Sequence, residues 1–201
     1  KFNYDFLPSY SNLDQPYRRL EGYLFPDTYK VAAQSSAETI INIMLRNFSA
    51  RVTPKMREDL AKNKLTLAET VNLASIVERE AALDSDRAIV AGILLKRLQT
   101  PGWRLEADAT LQYGLGYDKN EKTWWKKGLT EDDLKSGSSY NSRLQGGLPP
   151  TPISSPGLSS ISAAIYPQAS EFWYYINDKT GKAHYAKTLE EHNANVQQYL
   201  R

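Results

Sequence analysis

The chain has 201 residues, with 25 Lys plus Arg against 23 Asp plus Glu, 41% hydrophobic residues and no cysteine, which fits one domain of ordinary size with a short appendage. A net charge of +2 without a block of like charge gives no electrostatic footprint for nucleic acid or for a polybasic membrane anchor. The lack of Cys removes disulfide frameworks, iron–sulfur clusters and thiol nucleophiles, and two His leave little for a metal site. No run approaches the roughly 18 apolar residues that cross a bilayer, and Lys1 is not an initiator methionine, so an excised soluble segment is expected.

Residues 1–19 are polar and aromatic, are punctuated by Pro8 and Pro16, and read as an extended arm or linker before a domain over 20–201. LEGYLFPDTYKV, from Leu20 to Val31, is rich in aromatics and broken by Pro26, which predicts an edge strand or two short strands about a turn. Ser35 and Glu38 form a capping-box pattern before a helix whose Ile40, Ile43, Met44 and Phe48 share one face. Thr53 before Pro54 opens a short helix to about Asn63, and Thr66 with Glu69 opens TLAETVNLASIVEREAAL. Asp84 or Ser85 then caps DRAIVAGILLKRLQ, stopped by Thr100, Pro101 and Gly102.

Between Gly102 and Pro156 the pattern gives one short helix, Thr130–Ser136, among long loops whose Trp, Tyr and Gly content predicts order and function. Helix LSSISAAIYP, strand EFWYYIN, turn DKTG, strand KAHYAK and a helix capped by Thr188 and Glu191 close the chain. Helices and hairpins segregate, so the expected class is α+β, with a helical core, an antiparallel sheet and long loops lining a cleft.

Glu78 is the carboxylate most suited to chemistry. It shares a helical face with Val71, Ala74, Ser75, Ala81 and Ala82 on a helix apolar nearly all round, and burial there would raise its pKa toward that of a general acid. Pairing with the neighbours of Arg79 or with Arg97 from the next helix is the structural alternative. Glu80 lies about 200° away and reads as a surface or cap partner. His184, Glu191 and His192 lack metal-ligand spacing, Gly146, Gly147, Pro149 and Pro150 suit a rigid cleft wall better than a phosphate cradle, and Trp103, Trp124 and Trp125 offer either sugar-stacking faces or core packing.

ASIVERE, from Ala74 to Glu80, resembles the catalytic-helix motif of the YceG-like endolytic murein transglycosylases, and other family blocks recur in order. LEGYLFPDTY is similar to the opening signature, and LLKRLQTPGWRLEADATLQYGLG echoes the next block with Asp108, Thr110, Tyr113 and Gly114 in place. SSYNSRLQGGLPPTPISSPGLSSISAAIYP and HYAKTLEEHNANV resemble the closing blocks, while Glu106, Ala107, Ala109 and Thr151 depart from the family pattern.

This resemblance implies a lyase that cuts the bond from N-acetylmuramic acid to N-acetylglucosamine inside glycan strands without water, leaving 1,6-anhydromuramoyl ends. Glu78 would serve as acid and then base, with Asp108, Thr110, Tyr113, Tyr140, Asn141 and Pro149 along the substrate. Asp108 could equally hold an Asx-turn, and Asn141 either a sugar N-acetyl group or the turn itself. No cofactor or metal is required. The expected partners are peptidoglycan strands and, as candidates, peptidoglycan synthases, on the extracytoplasmic face of the bacterial cytoplasmic membrane. The membrane helix and LysM-like subdomain usual in the family would lie outside this chain. Two other classes compete: a non-catalytic glycan-binding module of the envelope, and a pyridoxal-phosphate lyase, whose phosphate cup the sequence does not supply.

Overall fold

The computed structural model describes residues 2–9 and 16–200. Lys1, residues 10–15 of the expected arm and Arg201 lie outside the described residues. In chain order the helices are α1 (Ala37–Arg51), α2 (Pro54–Asp59), α3 (Leu67–Glu80), α4 (Asp84–Gln99), α5 (Asp108–Leu115), α6 (Glu131–Leu134), α7 (Leu158–Ile165) and α8 (Leu189–Tyr199). The strands β1 (Tyr174–Asn177) and β2 (Ala183–Ala186) pair antiparallel, with Tyr174 opposite Ala186 and Asn177 opposite Ala183. The chain is thus mixed, mostly helical with one small antiparallel sheet, in keeping with α+β.

The hub is α3. Its capping box forms as the sequence predicts, Thr66 Oγ1 accepting from the Glu69 N–H and the Glu69 carboxylate accepting from the Thr66 N–H. Every residue from Thr70 to Val77 is buried. A helix apolar on all sides must be surrounded, and α7 and α4 pack most extensively on it. The chain beyond α7 crosses α4 so closely that a Cβ at Gly92 would stand 2.0 Å from the Gln168 carbonyl oxygen. At the other end of the molecule α8 covers the β1–β2 hairpin.

Three expectations are corrected. Ser36, rather than Ser35, caps α1, accepting from the Thr39 N–H. No strand forms over Leu20–Val31: Pro16–Leu20 is a 3-10 helix, a turn follows, and the extended stretch beyond it finds no ladder partner. Side chains secure that stretch instead, with Asn47 and Arg51 of α1 both donating to Asp27 and the Tyr29 hydroxyl donating to the Phe25 carbonyl. Helix α5 was hidden within an expected loop because two glycines end it. Gly116 supplies the left-handed C-cap, and Gly114 lets α5 press on the next loop, where a Cβ would meet Tyr140 Cβ at 2.8 Å. The arm is docked: Phe6 and Leu7 are buried, and Phe6 packs on Tyr23 and Phe48.

Candidate active site

The two glutamates of α3 face different surroundings. Glu78 Oε2 accepts from Arg87 Nη1 at 2.9 Å, from the Gly157 N–H at 3.0 Å and from the Ser160 hydroxyl at 2.7 Å. Gly157 is the N-cap residue of α7 and brings no side chain of its own, so Glu78 closes the positive end of that helix from outside. Its side chain is 29% exposed and that of Arg87 13%. Glu78 is thus ion-paired, but with Arg87, which the sequence did not single out; the expected partner Arg97 instead donates to the carbonyls of Trp173 and Leu105. All three ligands of Glu78 hold α3, α4 and α7 together.

Glu80, expected at the surface or in a cap, instead lines a cavity of about 590 Å³. The cavity opens between α3, the N-terminus of α5, β1 and α8, and is also lined by Glu106, Asp108, Arg143, Tyr174, Tyr175, Asn177 and His192. The Tyr175 hydroxyl donates to Glu80 Oε2 at 2.9 Å, and the Ala109 N–H, in the first turn of α5, points at Oε1 from 3.4 Å. Burial raises the Glu80 carboxyl pKa; the bonds from Tyr175 and Ala109 and the charge of Arg97 work against that rise, and the nearby Asp108 charge adds to it. Burial also pushes the Tyr175 phenol well above its usual range, so it remains a neutral donor. Asn177 donates to the Glu80 carbonyl at 2.6 Å, fixing the end of α3 against β1.

The cavity mouth is charged. Arg143 donates twice to Asp108 Oδ1, at 3.0 and 2.5 Å, with side chains 38% and 53% exposed. Glu106 stands beside them with φ +53°, a left-handed backbone that costs a non-glycine residue about 1 kcal/mol or more and clusters at functional sites. Burial and Arg97 lower the His192 pKa, which keeps its ring neutral, and its buried Nδ1 has no hydrogen-bond partner.

Of the substrate-binding residues expected from the sequence, the structure brings only Asp108 to the Glu80 cavity. Thr110 is fully buried, its hydroxyl engaged with the Ala107 carbonyl and Ser142. Asn141 is fully buried as well: its amide donates to the carbonyls of Leu134 and Ser136 and accepts from the Arg143 N–H, which is the turn-holding alternative. Tyr140 and Tyr113 join a network around Glu21, in which Tyr113 and Thr151 donate to the carboxylate and Arg18 donates to the Tyr140 hydroxyl. Pro149 accepts from Asn72 and lines a separate cavity. The sequence reading passed over Tyr175 and Arg143, took Glu80 for a surface or cap partner, weighed His192 only as a metal ligand and noted Glu106 only as a departure from the family pattern; His192 and Arg143 carried a trace, since both sit inside recurring motif blocks.

The chain belongs to the YceG-like family, whose match runs over residues 5–198. It is 32% identical over 182 residues to an endolytic murein transglycosylase of Bacillus subtilis (strain 168), and 34% identical over 186 residues to one of Streptococcus pneumoniae serotype 2 (strain D39). These alignments cover 90% of this chain but 48% and 32% of the relatives, so the chain spans half or less of the proteins it matches. A crystal structure of a yceG-like protein from Listeria monocytogenes superposes with a TM-score of 0.78 at 38% identity, covering 91% of this chain and 56% of that one.

Proposed function

We propose that this domain is the catalytic part of an endolytic peptidoglycan lytic transglycosylase, and that Glu80 takes the role first expected of Glu78. The observation that carries this reading is the Glu80 carboxyl itself, whose pKa burial raises and which lines a cavity of about 590 Å³. A general acid must hold its proton at working pH and reach the leaving oxygen. Glu78 is instead committed to three donors.

In the proposed step Glu80 gives its proton to the glycosidic oxygen as the bond to C1 of N-acetylmuramic acid breaks. The resulting carboxylate then takes the proton of the same sugar's C6 hydroxyl while that oxygen closes on C1. The products are the released N-acetylglucosamine end and a 1,6-anhydro ring, and Glu80 regains its proton. Tyr175 and the Ala109 N–H orient the carboxyl and hold it as it turns anionic. Asp108 sits where its charge favours the positive character developing at C1, and Arg143 fixes it there. One carboxyl suffices because the nucleophile belongs to the substrate and is already beside C1; a hydrolase would place a second carboxylate to manage water.

Thr110, Tyr140, Asn141 and Pro149 serve this reading as scaffold beneath the cleft. The substrate is then peptidoglycan, the site of action the extracytoplasmic face of the cytoplasmic membrane, and peptidoglycan synthases the candidate partners. Among the described residues no helix is long and apolar enough to cross a membrane. Digestion of murein in oxygen-labelled water tests the chemistry. Anhydro-ended muropeptides free of label support it, and labelled reducing ends as the main product overturn it.

A further inference from the structure

Of the tryptophans, Trp103 is explained by packing, since it stacks on Trp173 at 4.3 Å between ring centroids. Trp124 is not explained that way. It is 64% exposed, with Tyr117, itself 46% exposed, meeting it edge-on at 5.3 Å. Exposure of a large ring is unfavourable, yet the loop that presents it is built firmly. Asp118 Oδ1 accepts from the N–H groups of Asn120 and Glu121, and Asp118 and Thr123 exchange backbone hydrogen bonds. Lys126 pairs with Asp133 at 2.7 Å, and Gln112 of α5 donates to the Lys126 carbonyl. The loop therefore holds Trp124 in the open.

Beside that ring lies a cavity of about 480 Å³, walled by Trp124, Trp125 and Tyr113, with Arg18 and Glu21 lining it too. Two elements link its walls to those of the Glu80 site. The Arg79 guanidinium, one residue before Glu80, covers the Trp125 ring at 3.9 Å from its centroid. Helix α5 begins at the Ala109 N–H facing Glu80 and reaches Tyr113 and Gly114 of the cavity about 6–8 Å further along its axis.

We infer that the Trp124–Trp125 cavity is an accessory glycan subsite, in which a distal N-acetylhexosamine ring stacks on Trp124 and turns its polar edge toward Arg18 and Glu21. A pyranose has an apolar C–H face and a hydroxyl rim; a rigid aromatic plate beside charged hydrogen-bonding groups matches both. The inference deepens the function proposed above and rests on its assignment of a glycan substrate.

The test uses the Glu80→Gln chain, titrated with N-acetylglucosamine oligomers by calorimetry and tryptophan emission. The expected result is saturable binding with a change in emission, weakened about two- to thirteen-fold by Trp124→Ala, the range of one aromatic stacking contact. The melting temperature should stay unchanged, because the ring is exposed. In the Glu80-intact chain the same substitution should raise KM on long strands by that factor and leave kcat alone. Binding that is equal with and without Trp124, or absent at millimolar oligomer, overturns the subsite. Binding is read without turnover, so a chain that makes no anhydro ends refutes the proposed reaction alone, while anhydro ends with a Trp124-independent Kd and KM refute the subsite alone.

Discussion

Glu78→Ala separates the two glutamates of α3 by what each does for the fold. The substitution removes the acceptor that closes the N-terminus of α7 at Gly157, leaves the fully buried Ser160 hydroxyl with Arg87 as donor but no acceptor of its own, and deprives Arg87, 13% exposed, of its charged partner on α3. Loss of a helix cap costs about 0.5–2 kcal/mol. Breaking a fully buried ion pair costs about 3–5 kcal/mol, but Glu78 is 29% exposed and Arg87 keeps Asp84 at 2.8 Å, so about 1–2 kcal/mol of that applies. The total is about 2–4 kcal/mol, which for a chain of this length lowers the melting temperature by about 4–16 °C. Thermal unfolding followed by circular dichroism measures the shift, and murein digestion well below the new midpoint should give wild-type turnover per folded molecule. A variant that melts with the wild type but makes no product would refute this reasoning and return the chemistry to Glu78.

Glu80→Gln should behave in the opposite way. A carboxyl whose pKa is raised by folding binds more protons folded than unfolded, so its contribution to stability is present at low pH and is lost as pH rises from the unfolded value of about 4.3 through the folded one. The variant should melt above the wild type at pH 7, with the difference closing below about pH 4; a lower melting temperature at pH 7 contradicts the burial argument. Wild-type cleavage should fall as pH rises through the Glu80 pKa, and a rate flat into alkaline solution, with chemistry limiting, removes it as the acid. Asn141→Ala deletes three hydrogen bonds inside a buried turn and should destabilise by about 2–4 kcal/mol while activity follows the folded fraction; a drop in kcat/KM at unchanged melting restores it to the substrate. Gly92→Ala forces the chain after α7 off α4 and should lower stability by about 1–3 kcal/mol, which denaturant unfolding reads directly, an unchanged midpoint contradicting the close approach.

Local signals carried most of the helical frame. Thr66 with Glu69, Thr53 with Pro54 and Thr188 with Glu191 mark helix starts by side-chain chemistry confined to four residues, so they survive whatever tertiary structure follows. The strand misread at Leu20–Val31 had strand-forming residues but no neighbour to pair with, and pairing is a long-range fact. The glutamates show the same limit. Helical periodicity correctly separates Glu78 from Glu80 by about 200°, but which direction opens on a cavity depends on where α7 and the β1–β2 hairpin land, some eighty to a hundred residues later. Apolar neighbours in sequence made Glu78 look like the desolvated acid. In the fold, Arg87 and the α7 terminus compensate it, while Tyr175 and the first turn of α5 bury Glu80. Asn141 shows a related limit, since an Asn in a recurring loop motif can serve substrate or backbone, and the motif does not reveal its three partners within the loop.

The most direct test compares muropeptides released from purified murein by the wild type, Glu80→Gln and Glu78→Gln, each at equal folded concentration, with anhydro ends quantified by mass spectrometry. The account predicts anhydro-ended products from the wild type and from Glu78→Gln, and loss of nearly all of them from Glu80→Gln. Full product from Glu80→Gln alongside an inactive, folded Glu78→Gln would contradict it.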